Sequence, residues 1–184
     1  MRIIAGELGG RPLKSARGEG LRPAMGRTRE AIFSMLAARG IDWPGSRVLD
    51  VFAGSGSLAF EAISRGAPFA VLVDNADNAV RCLRENIAAL GLQDRTSLVR
   101  RDALRFLRRT PVKPVDLAFL DPPYGKNLIA PSLALLAPHL VPGAFVAAEI
   151  EKEAEPGAPD GLELTAERFF GRTRVCLWRC RGRK

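Results

Sequence analysis

Val48-Leu49-Asp50-Val51-Phe52-Ala53-Gly54-Ser55-Gly56-Ser57 runs from an apolar strand into a glycine turn. A helix follows, with Leu58, Ala59, Ala62 and Ile63 at helical spacing and Gly66 as its stop. Strand, glycine turn and helix together open a nucleotide-binding α/β unit, because the glycines permit tight turning and close approach of a ligand to the backbone. A second unit comes next: a strand over residues 69–73 that ends in Asp74, then an amphipathic helix with Val80, Leu83, Ile87 and Leu90, stopped at Gly91. Asp74 stands 20 positions after Gly54, the interval at which an acid usually meets ribose hydroxyls. A glycine turn alone carries little weight. Joined to a strand, a helix and a correctly spaced acid, it carries much more.

Downstream the same rhythm continues. A strand over 97–100 leads to Asp102, and a short helix presents Leu104 and Leu107 inward and Arg101, Arg105, Arg108 and Arg109 outward. The Asp102 carboxylate suits an adenine amino group, and it suits equally the N-cap of that helix; the two roles do not exclude each other. The apolar run 115–120 reads as a buried strand and enters Asp121-Pro122-Pro123-Tyr124. Two prolines end any strand or helix, since neither has an N–H and each fixes φ. What remains is a rigid loop presenting a carboxylate, a proline carbonyl and an aromatic face. Asp121 and the Pro122 carbonyl can each accept one N–H of an exocyclic amine, and Tyr124 can stack on the ring, worth roughly 1–3 kcal/mol per base. The plainer reading is a Pro-rich turn with Tyr124 as packing. A helix over 127–140 contains Pro131 and Pro138 and is expected to kink or break, with the single histidine, His139, incidental at its end. A strand over 144–150, an acidic loop over 151–161, and two runs (162–169 and 173–179) joined through Gly171 as a hairpin complete the chain. Asp50, Gly54, Gly56, Asp74, Asp102 and Asp121 all fall just after successive strands, the edge of an open parallel sheet where ligands lie. The fold class follows: α/β, a Rossmann-like, mostly parallel sheet with one antiparallel strand in the C-terminal hairpin.

Upstream of this core, residues 2–6 and 11–14 can pair as a small hairpin across Gly9-Gly10, and residues 15–23 read as a loop. A helix over 27–39 has Ile32, Met35 and Leu36 at helical spacing and Gly40 as its stop. Arg27 and Arg29 would lie in its first turn, where cations oppose the macrodipole; either an anion is held nearby, or Glu30 and solvent screen them. The 184 residues suit one domain, with residues 1–40 as an N-terminal extension and 41–184 as the core. Net charge is +8, and its placement matters more than its size. Residues 1–30 carry +4, residues 168–184 carry +7, and the middle carries −3. Basic ends around a nearly neutral body suggest a polyanionic partner such as nucleic acid. The three cysteines, Cys82, Cys176 and Cys180, are too scattered for a disulfide framework and read as reduced packing residues. No apolar run reaches membrane length and the N-terminus lacks a signal-peptide core, so a cytoplasmic location and no membrane partner are expected.

The chain resembles the class I S-adenosylmethionine-dependent methyltransferases, and more narrowly the RsmD family of 16S ribosomal RNA guanine-N2 methyltransferases. The resemblance covers nearly the whole chain: Met1-Arg2-Ile3-Ile4-Ala5-Gly6, Leu21-Arg22-Pro23, Arg27-Thr28-Arg29-Glu30-Ala31-Ile32-Phe33, the 48–57 stretch, Asp102-Ala103-Leu104 and Leu120-Asp121-Pro122-Pro123-Tyr124. The glycine and Asp-Pro-Pro-Tyr segments mark amino-methyltransferases generally, and the N-terminal segments narrow the assignment. Two departures are mild: family members often have Glu where Asp74 stands, and Phe is common at Tyr124. The resemblance implies S-adenosyl-L-methionine as cofactor, held by Asp50, Phe52, Gly54, Gly56, Asp74 and Asp102. It implies Asp121, Pro122 and Tyr124 as the catalytic loop around an unstacked guanine, Arg22, Arg27 and Arg29 as RNA contacts, and no metal. The partner would be 16S rRNA in a small ribosomal subunit or an assembly intermediate.

Rival readings share parts of this pattern. N6-adenine or N2-guanine methylation of DNA or another RNA uses the same tetrapeptide. A NAD-dependent oxidoreductase fits Gly54, Gly56 and Asp74 but leaves residues 121–124 unexplained. A non-catalytic RNA-binding ribosome-assembly factor fits the charge but has no need of both ligand loops.

Overall fold

A computed structural model describes residues 1–15, 23–110, 113–157 and 159–182. In chain order the elements are α1 (Pro23–Ala37), β1 (Arg47–Val51), α2 (Ser57–Ser64), β2 (Phe69–Asp74), α3 (Asp77–Leu90), β3 (Thr96–Arg100), α4 (Ala103–Arg109), β4 (Val115–Leu120), α5 (Ile129–Leu136), β5 (Leu140–Glu151), β6 (Leu162–Phe170) and β7 (Thr173–Cys180). The strands form a seven-stranded sheet in the order β3-β2-β1-β4-β5-β7-β6. The β1–β2, β2–β3, β1–β4 and β4–β5 pairs are parallel, and β7 runs antiparallel to both its neighbours. The expected single antiparallel strand is therefore β7. The chain winds outward from β1 to β3 and then returns to β4 on the other side of β1. That reversal opens a crevice at the C-terminal ends of β1 and β4.

Strand periodicity assigns the two cores. Side chains two apart share a face, so Val48, Leu72, Leu117, Phe119 and Ala147 meet Phe33 and Leu36 of α1, Phe60 and Ile63 of α2 and Leu83 and Ile87 of α3. The alternate residues Leu49, Val51, Val73, Leu120, Val146 and Trp178 meet Phe106 of α4 and Leu133 and Leu136 of α5. Cys176 and Cys180 lie on this second face as buried free thiols. Pro131 is tolerated inside α5, whereas at Pro138 the chain tightens into a 3-10 turn over Ala137–His139, because proline cannot donate the next helical hydrogen bond. No helix of the described residues is long and apolar enough to cross a membrane.

One expectation needs correction at the N-terminus. The helix starts at Pro23, a full turn earlier than the charge pattern indicated, as proline's preset φ favours at a first helical position. Arg27 and Arg29 consequently leave the first turn, and their conflict with the helix dipole lapses. The expected hairpin is present but short: Arg2 bridges Pro12, with the Ile3 N–H donating to the Arg11 carbonyl at 3.0 Å and the Leu13 N–H to the Met1 carbonyl at 2.8 Å. The extension is also fastened to the core. The buried Glu61 carboxylate accepts the N–H groups of Ile4 (2.6 Å) and Ala5 (3.0 Å). Gly6 is required where it stands, since a Cβ there would lie 1.8 Å from the Ser64 carbonyl oxygen.

Candidate active site

At the end of β1 the chain turns sharply. Phe52 takes φ 70°, unusual for a residue with a Cβ, and both its N–H and that of Ala53 donate to the Val73 carbonyl. Gly54 follows with φ 57° and Gly56 with φ 79°. Their jobs differ. Gly54 lines a cavity of about 890 Å³ over the β1–β4 crevice, whereas Gly56 is buried, and a Cβ on it would strike the Phe60 ring at 2.3 Å. Gly56 thus permits α2 to pack against its own strand.

Three acids of the turn are held by backbone N–H groups. Asp74 accepts from Gly54 at 2.9 Å and from Ala76 at 3.0 Å, which spans the glycine turn and leaves lone pairs on both oxygens. Asp102 caps α4 by accepting from Arg105 at 2.9 Å. Asp50, 2% exposed, accepts from Ala59 of α2 at 3.2 Å. Burial pushes its carboxyl up to about 7, the Ala59 N–H opposes that rise, and the negative Asp74 adds to it. A buried acid beside a second carboxylate is a place that favours a cation. Asp50, Phe52, Gly54, Asp74 and Asp102 all line the cavity.

Across β4 the cavity continues. Asp121 and Pro123 line it, Pro122 is buried, and Tyr124 stands 40% exposed outside the lining residues. The loop is pinned from two strands: Gly125 donates to Glu151 at 3.2 Å, and the Tyr124 hydroxyl pairs with that of Thr173 at 2.8 Å. Burial raises the Tyr124 phenol; the Thr173 bond works against this, and the negative charges of Glu149, Asp121 and Glu151 work with it. Glu149, Arg101 and Lys126 also line the cavity and were missed in the sequence. Glu149 had a signal, since it ends an apolar strand run as Asp50 and Asp74 do.

The cations are distributed otherwise than expected. Arg22 lies outside the described residues. Arg27 is exposed. Arg29 is 8% exposed and lines the cavity, with its guanidinium donating to the Arg2 carbonyl at 2.5 Å and its Nε unpaired among the described residues. Burial lowers its pKa and Glu61 counters that. Arg29 is therefore an inner residue that binds the extension to α1. At the other end, Arg174 pairs with Glu167 and Arg181 with Glu163, so part of the C-terminal charge is spent within the β6–β7 hairpin.

The sequence model of the family described as "Conserved hypothetical protein 95" matches residues 1–179. The ribosomal RNA small subunit methyltransferase D of Haemophilus influenzae is 34% identical over 175 residues, covering 93% of this chain and 89% of that protein. The chain belongs to the RsmD family. A solved Escherichia coli chain, yhhF, superposes on this RsmD-family protein with a TM-score of 0.86 at 32% identity, covering 100% of this chain and 99% of the other. An RNA methyltransferase of Salinibacter ruber, solved in complex with S-adenosyl-L-homocysteine, shares the fold at a TM-score of 0.65 and 15% identity, over 84% of this chain and 93% of its own.

Proposed function

We propose that this protein methylates the exocyclic N2 amine of a guanine in small-subunit ribosomal RNA, with S-adenosylmethionine as donor, in the cytoplasm. The observation that carries the reading is the meeting of two loops in one cavity: the acid-rich glycine turn of β1 and β2, and the Asp121–Tyr124 loop after β4. The family's named relative acts on small-subunit rRNA by its description.

The residues fit the donor. Asp50 would offer a buried carboxylate to its cationic amino-acid end, Asp74 would accept from ribose hydroxyls, and Asp102, which caps α4, would accept from the adenine amine. When bound, the donor supplies an electrophilic methyl on a sulfonium, already an excellent leaving group. The amine of guanine is a poor nucleophile, because its lone pair is delocalised into the ring. Asp121 and the Pro122 carbonyl accept its two N–H groups, favour a pyramidal nitrogen and turn the lone pair toward the methyl. Alignment of this kind supplies much of the acceleration. As the new N–C bond forms and the S–C bond breaks, Asp121 takes the proton released from nitrogen. Tyr124 stacks on the unstacked base, held by Thr173. Residues 1–40, with Arg27 exposed on α1, form the RNA-binding extension, and the substrate is the small subunit or an assembly intermediate of it.

Mapping radiolabelled methyl on small ribosomal particles that lack the modification tests the reading. Label on the N2 of a single 16S guanine is expected. Label on adenine, or none with the donor bound, overturns it.

A further inference from the structure

Asp50, Asp74, Asp102, Asp121 and Glu149 stand in or just after the C-terminal parts of β1 to β5, and Glu149 has no part in the mechanism above. Glu149 lines the cavity with Asp121. Leu120 of β4 and Ala148 of β5 are register partners in a parallel pair, so Asp121 and Glu149 leave adjacent strands at the same level. Neighbouring strands lie about 4.8 Å apart. The negative charges of both acids raise the Tyr124 phenol, in keeping with this juxtaposition. The strand order separates them from the donor's residues: Asp50 and Asp74 sit on β1 and β2, whereas Asp121 and Glu149 sit beyond, on β4 and β5.

The Asp121–Tyr124 loop reads an exocyclic amine and does not by itself distinguish the bases that carry one. The atom beside the amine does. In guanine, N1 carries a proton; in adenine, the equivalent N1 is a lone pair. A second carboxylate beside the amine site accepts from the first and repels the second, and enzymes that extrude a base read it by such bonds along its Watson–Crick edge. We propose that Glu149 is the specificity-determining residue of this site, accepting the N1–H of the target guanine while Asp121 and Pro122 hold its amine. The inference rests on the guanine-N2 reading above and adds the group that selects guanine.

The test uses small subunits reconstituted with 16S rRNA that carries 2-aminopurine in place of the methylated guanine. This base keeps the 2-amine but has an acceptor at N1. Wild-type protein is expected to favour guanine over 2-aminopurine by on the order of 10- to 100-fold in single-turnover rate, the range for one well-placed hydrogen-bonding pair. Glu149→Gln, isosteric, accepts the guanine N1–H through its amide oxygen and donates to the 2-aminopurine N1 through its NH2, so it should bring the two rates to within about threefold, mainly by gain on 2-aminopurine. Glu149→Ala should also flatten the ratio, and donor affinity should be unchanged in both variants. If Glu149→Gln folds, binds donor and keeps the wild-type ratio, the inference is wrong and the function stands. If wild-type protein methylates no guanine in the unmodified subunit, the functional reading fails and the inference fails with it.

Discussion

On the side of the cavity assigned to the donor, the acids are fixed by backbone N–H groups, within nine residues of each acid except for Gly54, 20 residues from Asp74. Asp102 reaches Arg105, Asp50 reaches Ala59, and Asp74 reaches Ala76 and Gly54. On the acceptor side the loop is held by side chains from distant strands: Glu151, 26 residues from Gly125, and Thr173, 49 residues from Tyr124. The donor half is thus built by local turns and caps, and the acceptor half by the assembled sheet. Damage to the first should appear in binding. Damage to the second should appear in turnover.

Asp121→Ala is the sharpest way to break this division. Loss of both amine alignment and proton acceptance should lower the single-turnover rate by on the order of 1,000-fold at saturating donor. Donor affinity by calorimetry should stay near wild type. Asp121→Asn should be gentler, because its amide oxygen still accepts from the amine. Near-normal chemistry in Asp121→Ala would reduce the loop to a structural turn.

Asp74→Ala probes the other half. It removes a ribose acceptor and frees Gly54 at once, so donor affinity should weaken by roughly 10- to 100-fold, the cost of charged hydrogen bonds. The rate at saturating donor should change far less. An unchanged dissociation constant would take Asp74 out of the site.

The titration of Asp50 gives a smaller effect with a definite sign. Its folded pKa, about 7, lies above the ordinary carboxylate value, so the folded protein binds a proton there that the unfolded chain has lost. In donor-free protein, Asp50 therefore makes the fold less stable as pH rises from about 4 through about 7. A cationic donor prefers the ionised form, so donor affinity should rise by about tenfold between pH 5.5 and 7. Asp50→Asn should flatten both curves. A wild-type affinity that falls over this range would mean that Asp50 does not face the donor's positive end.

Thr173→Val and Tyr124→Phe should do least. Each removes one hydroxyl of a partly exposed pair, leaving the ring to stack, and each should slow turnover by about threefold, near the net value of one hydrogen bond. Tyr124→Ala, which loses the ring, should cost clearly more. If Thr173→Val were as slow as Tyr124→Ala, the hydroxyl pair and not the ring would be setting the loop.

The same division explains what the sequence made legible. The strands, the helix faces and the positions of Asp50, Asp74 and Asp102 rest on periodicity, glycine turns and short spacings, all written locally, whereas the strand order came only from the assembled sheet. Asp121–Tyr124 was legible because two prolines leave a loop few choices. Glu149 carried only the weak local signal of an acid closing an apolar run; its meaning comes from its register with β4. Arg29 was misjudged for the opposite reason. Its neighbours suggested a surface cation in a first turn, but Pro23 starts the helix earlier and carries Arg29 inward, against residues 1 and 2.

The fastening of the extension bears on how such an enzyme acquires new targets. Asn86, 1% exposed on α3, binds both the N–H and the carbonyl of Lys14 and also the Ser55 carbonyl in the glycine turn. Glu61 and Ser64 clasp residues 4–8 from α2, and Phe33 of α1 lies in the main core. Cutting the chain at residue 40 would leave the buried Glu61 carboxylate only Arg65 in place of its two backbone N–H partners and open the core. The extension is not a cassette that recombination could exchange for another. Its recognition surface has to change by single substitutions, each compatible with a catalytic body that shares its hydrogen bonds.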